Sequence, residues 1–353
     1  MQGHDVTVLS LDKPSGHAAR WINTNRDAPL SRTLSRLTFD SVIDNIAFRA
    51  YQVNSLIDAL RGKVNRYVLT SSVDIYCNQK AKYCDELENE QLEPFLHSDA
   101  LPPWEAYLRG KRACEIALRS SPHFEKVVVR PAVVLGARDN IMCPRGTLTS
   151  RSLFFPLRIA DGGPILLRHS DTRLHQVVDV GDVARALLLA ATHPLAAGQV
   201  LNVVGDDVWT NERLIHSLSN SIGCKTDVLR VSDAQLKAAG LGHYQTPYFR
   251  SYMHSWFLFS NRRLKELGWR PVSAYLNFDA QTADSKKIRL RNSWQSERRR
   301  LKRNELKTPP DFMACRARIT DSYGRDSIER EITDFRSQFR SPRGPWDTNS
   351  ALS

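Results

Sequence analysis

Tyr107 and Lys111 stand four residues apart in AYLRGKRACEIAL, within a segment predicted helical from about 103 to 120. On a helix that separation puts both side chains on one side. A phenol with an ordinary pKa of about 10 exchanges a proton with a carbinol or ketone near neutrality only when its phenolate is favoured. A lysine ammonium one turn away supplies that attraction. Ser72 ends the apolar run RYVLTSS, where its hydroxyl would hold the same substrate oxygen. Together the three residue types make an oxidoreductase site. The competing reading is an ordinary exposed helix face for the pair and a polar strand end for Ser71 and Ser72.

An alternation of strands and helices must carry these residues. DVTVLSLD, from 5 to 12, is a β-branched run ending in a polar turn. Leu30, Leu34 and Leu37 suit one helix face, and Phe39 to Asp44 suit a buried strand. Val53, Leu56, Ile57 and Leu60 recur at helical spacing, with Gly62 at the stop before the strand RYVLTSS. After the helix holding Tyr107 and Lys111, KVVVRPAVVLG reads as one strand from Lys126 to Gly136. This order predicts an α/β protein, a parallel sheet with helices on its faces. Further on, QVVDVGDVARALLLAATHP is a strand running into a helix with Asp182 near its start, and QVLNVVG is a strand feeding a helix over about 211 to 222. LKELGWRP is a helix stopped by Gly268 and Pro271.

A chain of 353 residues fits one large α/β unit or two domains, and its 41% hydrophobic content supports a buried interior. The net charge of +12 excludes neither nucleic acid nor an anionic small substrate. More than half of that excess lies in residues 281–353, where 17 Lys and Arg face 10 Asp and Glu, so this tail is expected to be solvated, partly disordered and dispensable for the core. No long apolar run and no export signal occur, which makes a soluble cytoplasmic protein without membrane contact the expectation. The six cysteines are scattered and make no disulfide framework. Cys77, Cys84, His169 and His175 lack ligand spacing, so no metal is expected.

Several of these segments, taken in order, resemble the extended short-chain dehydrogenases/reductases, the group that includes NAD-dependent nucleotide-sugar epimerases and dehydratases. VLTSSVDIY is similar to the family's serine segment, with the catalytic hydroxyl at Ser72. YLRGK supplies its Tyr-x-x-x-Lys, which makes Tyr107 the acid/base and gives Lys111 two tasks, lowering the phenol pKa and holding the nicotinamide ribose. VVVRPAVVLGARDN resembles the strand and loop near the nicotinamide, marked by Arg130, Pro131 and Gly136. LHQVVDVGDVARALLLA, with Asp179 and Asp182, and LKELGWRP resemble the return to the first domain and the C-terminal helix end. The resemblance implies a Rossmann-like doubly wound parallel sheet over 1–136, and a substrate-binding region over 137–280 that returns to the first domain near 175–193. The tail completes the chain.

The resemblance also defines departures. The family opens with a strand, a Gly-rich loop and a helix whose N-terminus receives the cofactor pyrophosphate. GHDVTVLS corresponds to the second strand, so roughly 30 residues are expected to be missing before it, and no glycine takes the phosphate-cradling role. The absent strand would lie mid-sheet, leaving two neighbours each short of a ladder partner. Asp12 would accept from a ribose hydroxyl, which favours NAD over NADP, although Lys13 beside it weakens that choice. NTNRD stands where the family's adenine-holding acid belongs and displaces it to Asp27. Asn45, Ile46 and Ala47 resemble the Asn-Ala-Ala turn whose backbone approaches the cofactor.

The implied function is an NAD(P)-dependent oxidoreductase or epimerase acting on a hydroxyl or keto group of a nucleotide-sugar-like substrate. Val73 before Asp74 lacks the acid that dehydratases carry, which disfavours dehydration. Asp85, Glu86, Glu88, Glu90 and Glu93 would present acid near the substrate, while Arg138, Arg145, Arg151, Arg158, Arg168 and Arg173 are candidate diphosphate or carboxylate contacts. The alternatives are a family member without usable cofactor binding and, less favoured, an RNA-binding member using Trp294 with Arg298, Arg299 and Arg300. The oligomeric state stays open, a homodimer included.

Overall fold

The computed structural model describes residues 3–14, 19–77, 83–87, 91–92, 103–136, 155, 159, 164–238 and 258–272. The basic tail, including Trp294 and Arg298 to Arg300, lies outside the described residues. So do Glu88, Glu90, Glu93, Arg138, Arg145, Arg151 and Arg158.

Strands β1 (Thr7–Ser10) and β2 (Arg20–Asn23) pair in parallel, with Val8 opposite Trp21. A single helical turn, α1 (Leu30–Thr33), follows Pro29 and buries Leu30. The predicted helix through Leu37 is therefore shorter than expected. Leu34 caps it, its N–H bonding back to Leu30, and is itself buried, so the contact is made without extending the helix. Next come β3 (Phe39–Asp44), α2 (Ala50–Leu60) and β4 (Val64–Thr70). Val53, Leu56, Ile57 and Leu60 of α2 are all buried, each contributing about 1.5–3 kcal/mol of apolar burial. Gly62 supplies the positive φ of 70° that turns the chain into β4.

Beyond β4, Ser72 caps a short 3-10 turn, Val73–Tyr76, and β5 (Tyr83–Cys84) follows. Helix α3 (Pro103–Ser120) leads to β6 (Glu125–Pro131). The stretch expected as one strand to Gly136 is broken at Ala132: β7 (Val133–Leu135) belongs to a different sheet. Ala132 N–H bonds to Val203 at the end of the β6 ladder, and the chain then leaves that sheet. The remaining elements are β8 (Ile165–Arg168), β9 (Val177–Asp179), α4 (Val180–Thr192), β10 (Val200–Val203) and α5 (Asn211–Ile222). After them come β11 (Val228–Val231), α6 (Asp233–Ala238), β12 (Leu258–Phe259) and α7 (Arg262–Glu266).

The fold is α/β and Rossmann-like. Its main sheet runs β10-β6-β4-β3, all parallel, with Leu69 opposite Val128 and Leu201 opposite Val129. Alternation along β4 covers both faces. Tyr67 and Leu69 enter an apolar cluster with Leu56, Leu60 and Leu118 from α2 and α3. Arg66, pointing the other way, donates to the Ala190 carbonyl of α4. The described residues divide into two compact units, one drawn from 1–132, 181–205 and 257–271, the other from 133–180 and 206–256. In the second, β7 pairs with β9, β8 pairs with β11, and Leu135, Ile165, Trp209 and Leu214 share one core.

Strands β1 and β3 each have one hydrogen-bonded neighbour among the described residues, β2 and β4 respectively.

Candidate active site

Lys111 is buried, 2% exposed, and its placement organises the site. Its ammonium donates to the carbonyls of Ala47 and Thr70, both at 2.9 Å, and lies 4.4 Å from the centroid of the Phe48 ring. One helix residue thus ties together the exits of two adjacent parallel strands, β3 and β4. Burial pushes the Lys111 pKa down, and Cys114, Asp44 and Glu115 oppose that shift. Asn45 strengthens the tie by accepting from the Thr70 hydroxyl at 2.6 Å. Ala47 is wholly buried, so its contribution is its backbone carbonyl.

Tyr107, half-buried on α3, presents its ring 6.0 Å from Phe48 and 6.0 Å from the Lys111 nitrogen. Helix α3 also packs against the turn that begins at Ser72. Ser72 is buried and its Oγ accepts from Asp74 N–H at 3.1 Å, an N-cap bond that leaves its own O–H to donate elsewhere. Beside it the Ser71 Oγ is buried with no partner among the described residues.

Asp27 follows β2 and is exposed. Its Oδ1 accepts from Tyr51 O–H and Gln52 Nε2, both at 2.7 Å, and these bonds hold its carboxyl below the usual range. Gln52 in turn accepts from the N–H groups of Phe48 and Arg49 at 2.8 and 3.1 Å, closing the start of α2. Arg26, next to Asp27, pairs with Asp44 at 2.6 Å, and Asp44 also accepts from Tyr67 O–H at 2.5 Å. The Arg26 Nε and Nη1 atoms are buried without an acceptor among the described residues. Asp12 is exposed just past β1, and its backbone carbonyl accepts from Ser10.

Arg130 and Pro131 lie buried in β6. All three guanidinium nitrogens of Arg130 are engaged inside the protein: Nε and Nη2 with Glu115 at 3.0 and 2.5 Å, and Nη1 with Tyr76 O–H and the Leu87 carbonyl at 2.6 Å. The pair is fully buried. Burial acts against the Arg130 charge, yet the Glu115 carboxylate outweighs it and drives the pKa up. Tyr76 passes the network on by donating to Asn202 of β10 at 3.0 Å. Pro131 closes β6 opposite Val203. Arg130 therefore anchors α3 to the sheet, and through it Lys111 and Tyr107.

The acids divide similarly. Glu86 is 1% exposed and accepts from Arg263 N–H at the start of α7, and burial pushes its pKa up, so it serves the interior rather than a substrate. Asp74 is buried, Asp182 pairs with Arg185, and Arg168 pairs with Asp233. Among the described residues no cluster of His, Cys, Asp and Glu suits a metal. Burial raises the Cys84 and Cys114 thiols to about 11, which removes thiolate chemistry near neutrality.

Three contributors escaped sequence reasoning: Phe48, Gln52 and Gly110. For Gly110 a signal existed. A glycine inside a helix costs about 1 kcal/mol relative to alanine, which marks a close approach. Phe48 and Gln52 carry no such mark.

The sequence matches the NAD dependent epimerase/dehydratase family over residues 3–204. No curated protein matches it. Among solved structures it is similar to the UDP-glucose 4-epimerase of Thermotoga maritima solved with UDP-glucose, at 16% identity and a TM-score of 0.58, covering 83% of this chain and 92% of that one. An epimerase from Methanothermobacter thermautotrophicus aligns at 14% identity and a TM-score of 0.62, over 84% and 88% of the two chains. A short-chain dehydrogenase/reductase superfamily protein from Agrobacterium tumefaciens with bound NAD aligns at 17% identity and 0.55, over 85% and 93%. At these identities the structures establish a shared fold. The family match spans more than half the sequence and contains the strand exits, Ser72, Tyr107 and Lys111. The chain belongs to the NAD-dependent epimerase/dehydratase family.

Proposed function

We propose that this protein is a nicotinamide-dependent oxidoreductase or epimerase acting on a hydroxyl or keto group of a nucleotide-sugar-like substrate. The observation that carries the reading is the Lys111 ammonium, fixed on the Ala47 and Thr70 carbonyls one helical turn from Tyr107. The groups at the strand exits suit a dinucleotide. Asp27 takes both its bonds on Oδ1, which leaves Oδ2 for an adenine amine, and the unmatched N–H groups of Arg26 would be satisfied by a ribose or phosphate oxygen. Ligands of open α/β sheets bind at such carboxyl ends.

A bound nicotinamide would supply reversible hydride transfer. Tyr107 takes the proton of the substrate hydroxyl, Ser72 holds the same oxygen through its free O–H, and Lys111 lowers the cost of the phenolate by its charge. Epimerisation would further require room at the site for the ketone to turn over. Asp12 favours NAD over NADP, since a carboxylate suits a ribose hydroxyl and repels a phosphate. Lys111, Asn45 and Ala47 would border the nicotinamide ribose.

A second reading is a family member without usable cofactor binding. Isothermal titration with NAD separates the two. Saturable binding together with turnover of a UDP-sugar, lost in Tyr107→Phe, is the expected result. Absence of both binding and turnover would discard the enzyme reading.

A further inference from the structure

Phe48 is an apolar side chain left 46% exposed beside a buried cation. Both its backbone and its ring are held. Its N–H donates to Gln52 Oε1 at 2.8 Å, and its carbonyl oxygen sits 2.2 Å from where a Gly110 β-carbon would be. Its ring lies over the Lys111 nitrogen at 4.4 Å and meets the Tyr107 ring at 6.0 Å with a 46° tilt.

The donor count at Lys111 gives this arrangement its meaning. An ammonium has three N–H bonds; two go to the Ala47 and Thr70 carbonyls, and the Phe48 ring stands within cation–π range of the same nitrogen. Among the described residues, the other charged or titratable groups near it are Asp44 on β3 and Tyr107, Cys114 and Glu115 on α3. Both carboxylates are already matched: Asp44 by Arg26 and Tyr67, Glu115 by Arg130. Beyond the Coulombic pull of Cys114, Asp44 and Glu115, the groups in direct contact with the buried charge are two carbonyl dipoles and the ring quadrupole, whose negative face a cation prefers.

We propose that Phe48 is a positioning residue for the Tyr107–Lys111 pair: its ring walls the ammonium, holds it charged, and flanks the phenol. The catalytic consequence rests on the function proposed above, whereas the electrostatic role belongs to the free protein and is tested there.

The test is an NMR titration of protein labelled with 13C-lysine, following the ε-carbon signals with pH and assigning Lys111 by its loss in Lys111→Met. In Phe48→Leu, which keeps bulk and removes the quadrupole, the Lys111 midpoint should fall by about 0.5 to 1 pH unit. Phe48→Tyr should restore it, and Phe48→Trp, with the strongest ring quadrupole, should hold or raise it. An unchanged midpoint in Phe48→Leu overturns the proposal. Equal falls in the Leu, Tyr and Trp variants also overturn it, since they would indicate packing alone. Because the titration needs neither NAD nor substrate, failure to bind NAD would count against the proposed function and leave this result standing.

Discussion

A β-carbon added at Gly110 would lie 2.2 Å from the carbonyl oxygen of Phe48. The neighbour is backbone, so it cannot swing aside as a flexible side chain would. Helix α3 touches the loop after β3 at this point, and the next residue, Lys111, reaches the Ala47 carbonyl from there. Gly110→Ala gains about 1 kcal/mol of helix propensity but overpacks the contact, at a cost of about 1–3 kcal/mol. We expect lower stability by urea denaturation and, where NAD binds, weaker binding.

Tyr107→Phe removes the proton donor and leaves the ring against Phe48. Turnover should nearly vanish while NAD affinity changes little. Lys111→Met should impair both, because the lost ammonium serves the phenolate and the strand exits at once. Steady-state rates beside calorimetric titration separate the two variants, and undiminished turnover in Tyr107→Phe would reject the mechanism.

Arg130→Met leaves the Glu115 carboxylate buried without its partner, a loss of about 3–5 kcal/mol. Pairing it with Glu115→Leu removes the stranded charge, so the double variant should recover a large part of the stability. A double-mutant cycle by chemical denaturation measures the coupling, and additive losses would show that the pair does not act as a unit.

Burial lowers the His175 pKa to about 4. The unfolded chain binds a proton at about 6.5 and the folded one only near 4, so protons favour unfolding in between. Stability should be level above about pH 7, fall as pH drops from about 6.5 to 4, and lose slope below that, a change on the order of 3 kcal/mol. His175→Gln should flatten this part of the profile. Denaturation midpoints from pH 4 to 7 for both proteins provide the check.

Much of the architecture was legible because its signals are short in range. Val53, Leu56, Ile57 and Leu60 repeat with the helical period and are buried in α2, and Phe39 to Asp44 form β3. Tyr107 and Lys111 share a helix, where four residues of spacing fix one side. The elements that differ do so for contacts the local pattern does not encode. Leu37 has the spacing of the helix that ends at Thr33, and the nearly unbroken apolar run from Lys126 to Gly136 conceals the break at Ala132, where the chain changes sheets.

The sequence by itself determined the strand and helix alternation and the proximity of the phenol to the ammonium, both consequences of backbone period. Only tertiary structure decided what surrounds the ammonium. The Ala47 and Thr70 carbonyls that hold Lys111 belong to residues whose side chains play no part in those bonds, and every residue has such a carbonyl, so residue type cannot announce them. Arg130, which the resemblance sets near the nicotinamide, is paired with Glu115, fifteen positions away in sequence and adjacent only once α3 packs on β6. A buried guanidinium takes the carboxylate that folding delivers to it, and the low-dielectric interior makes that pairing costly to break.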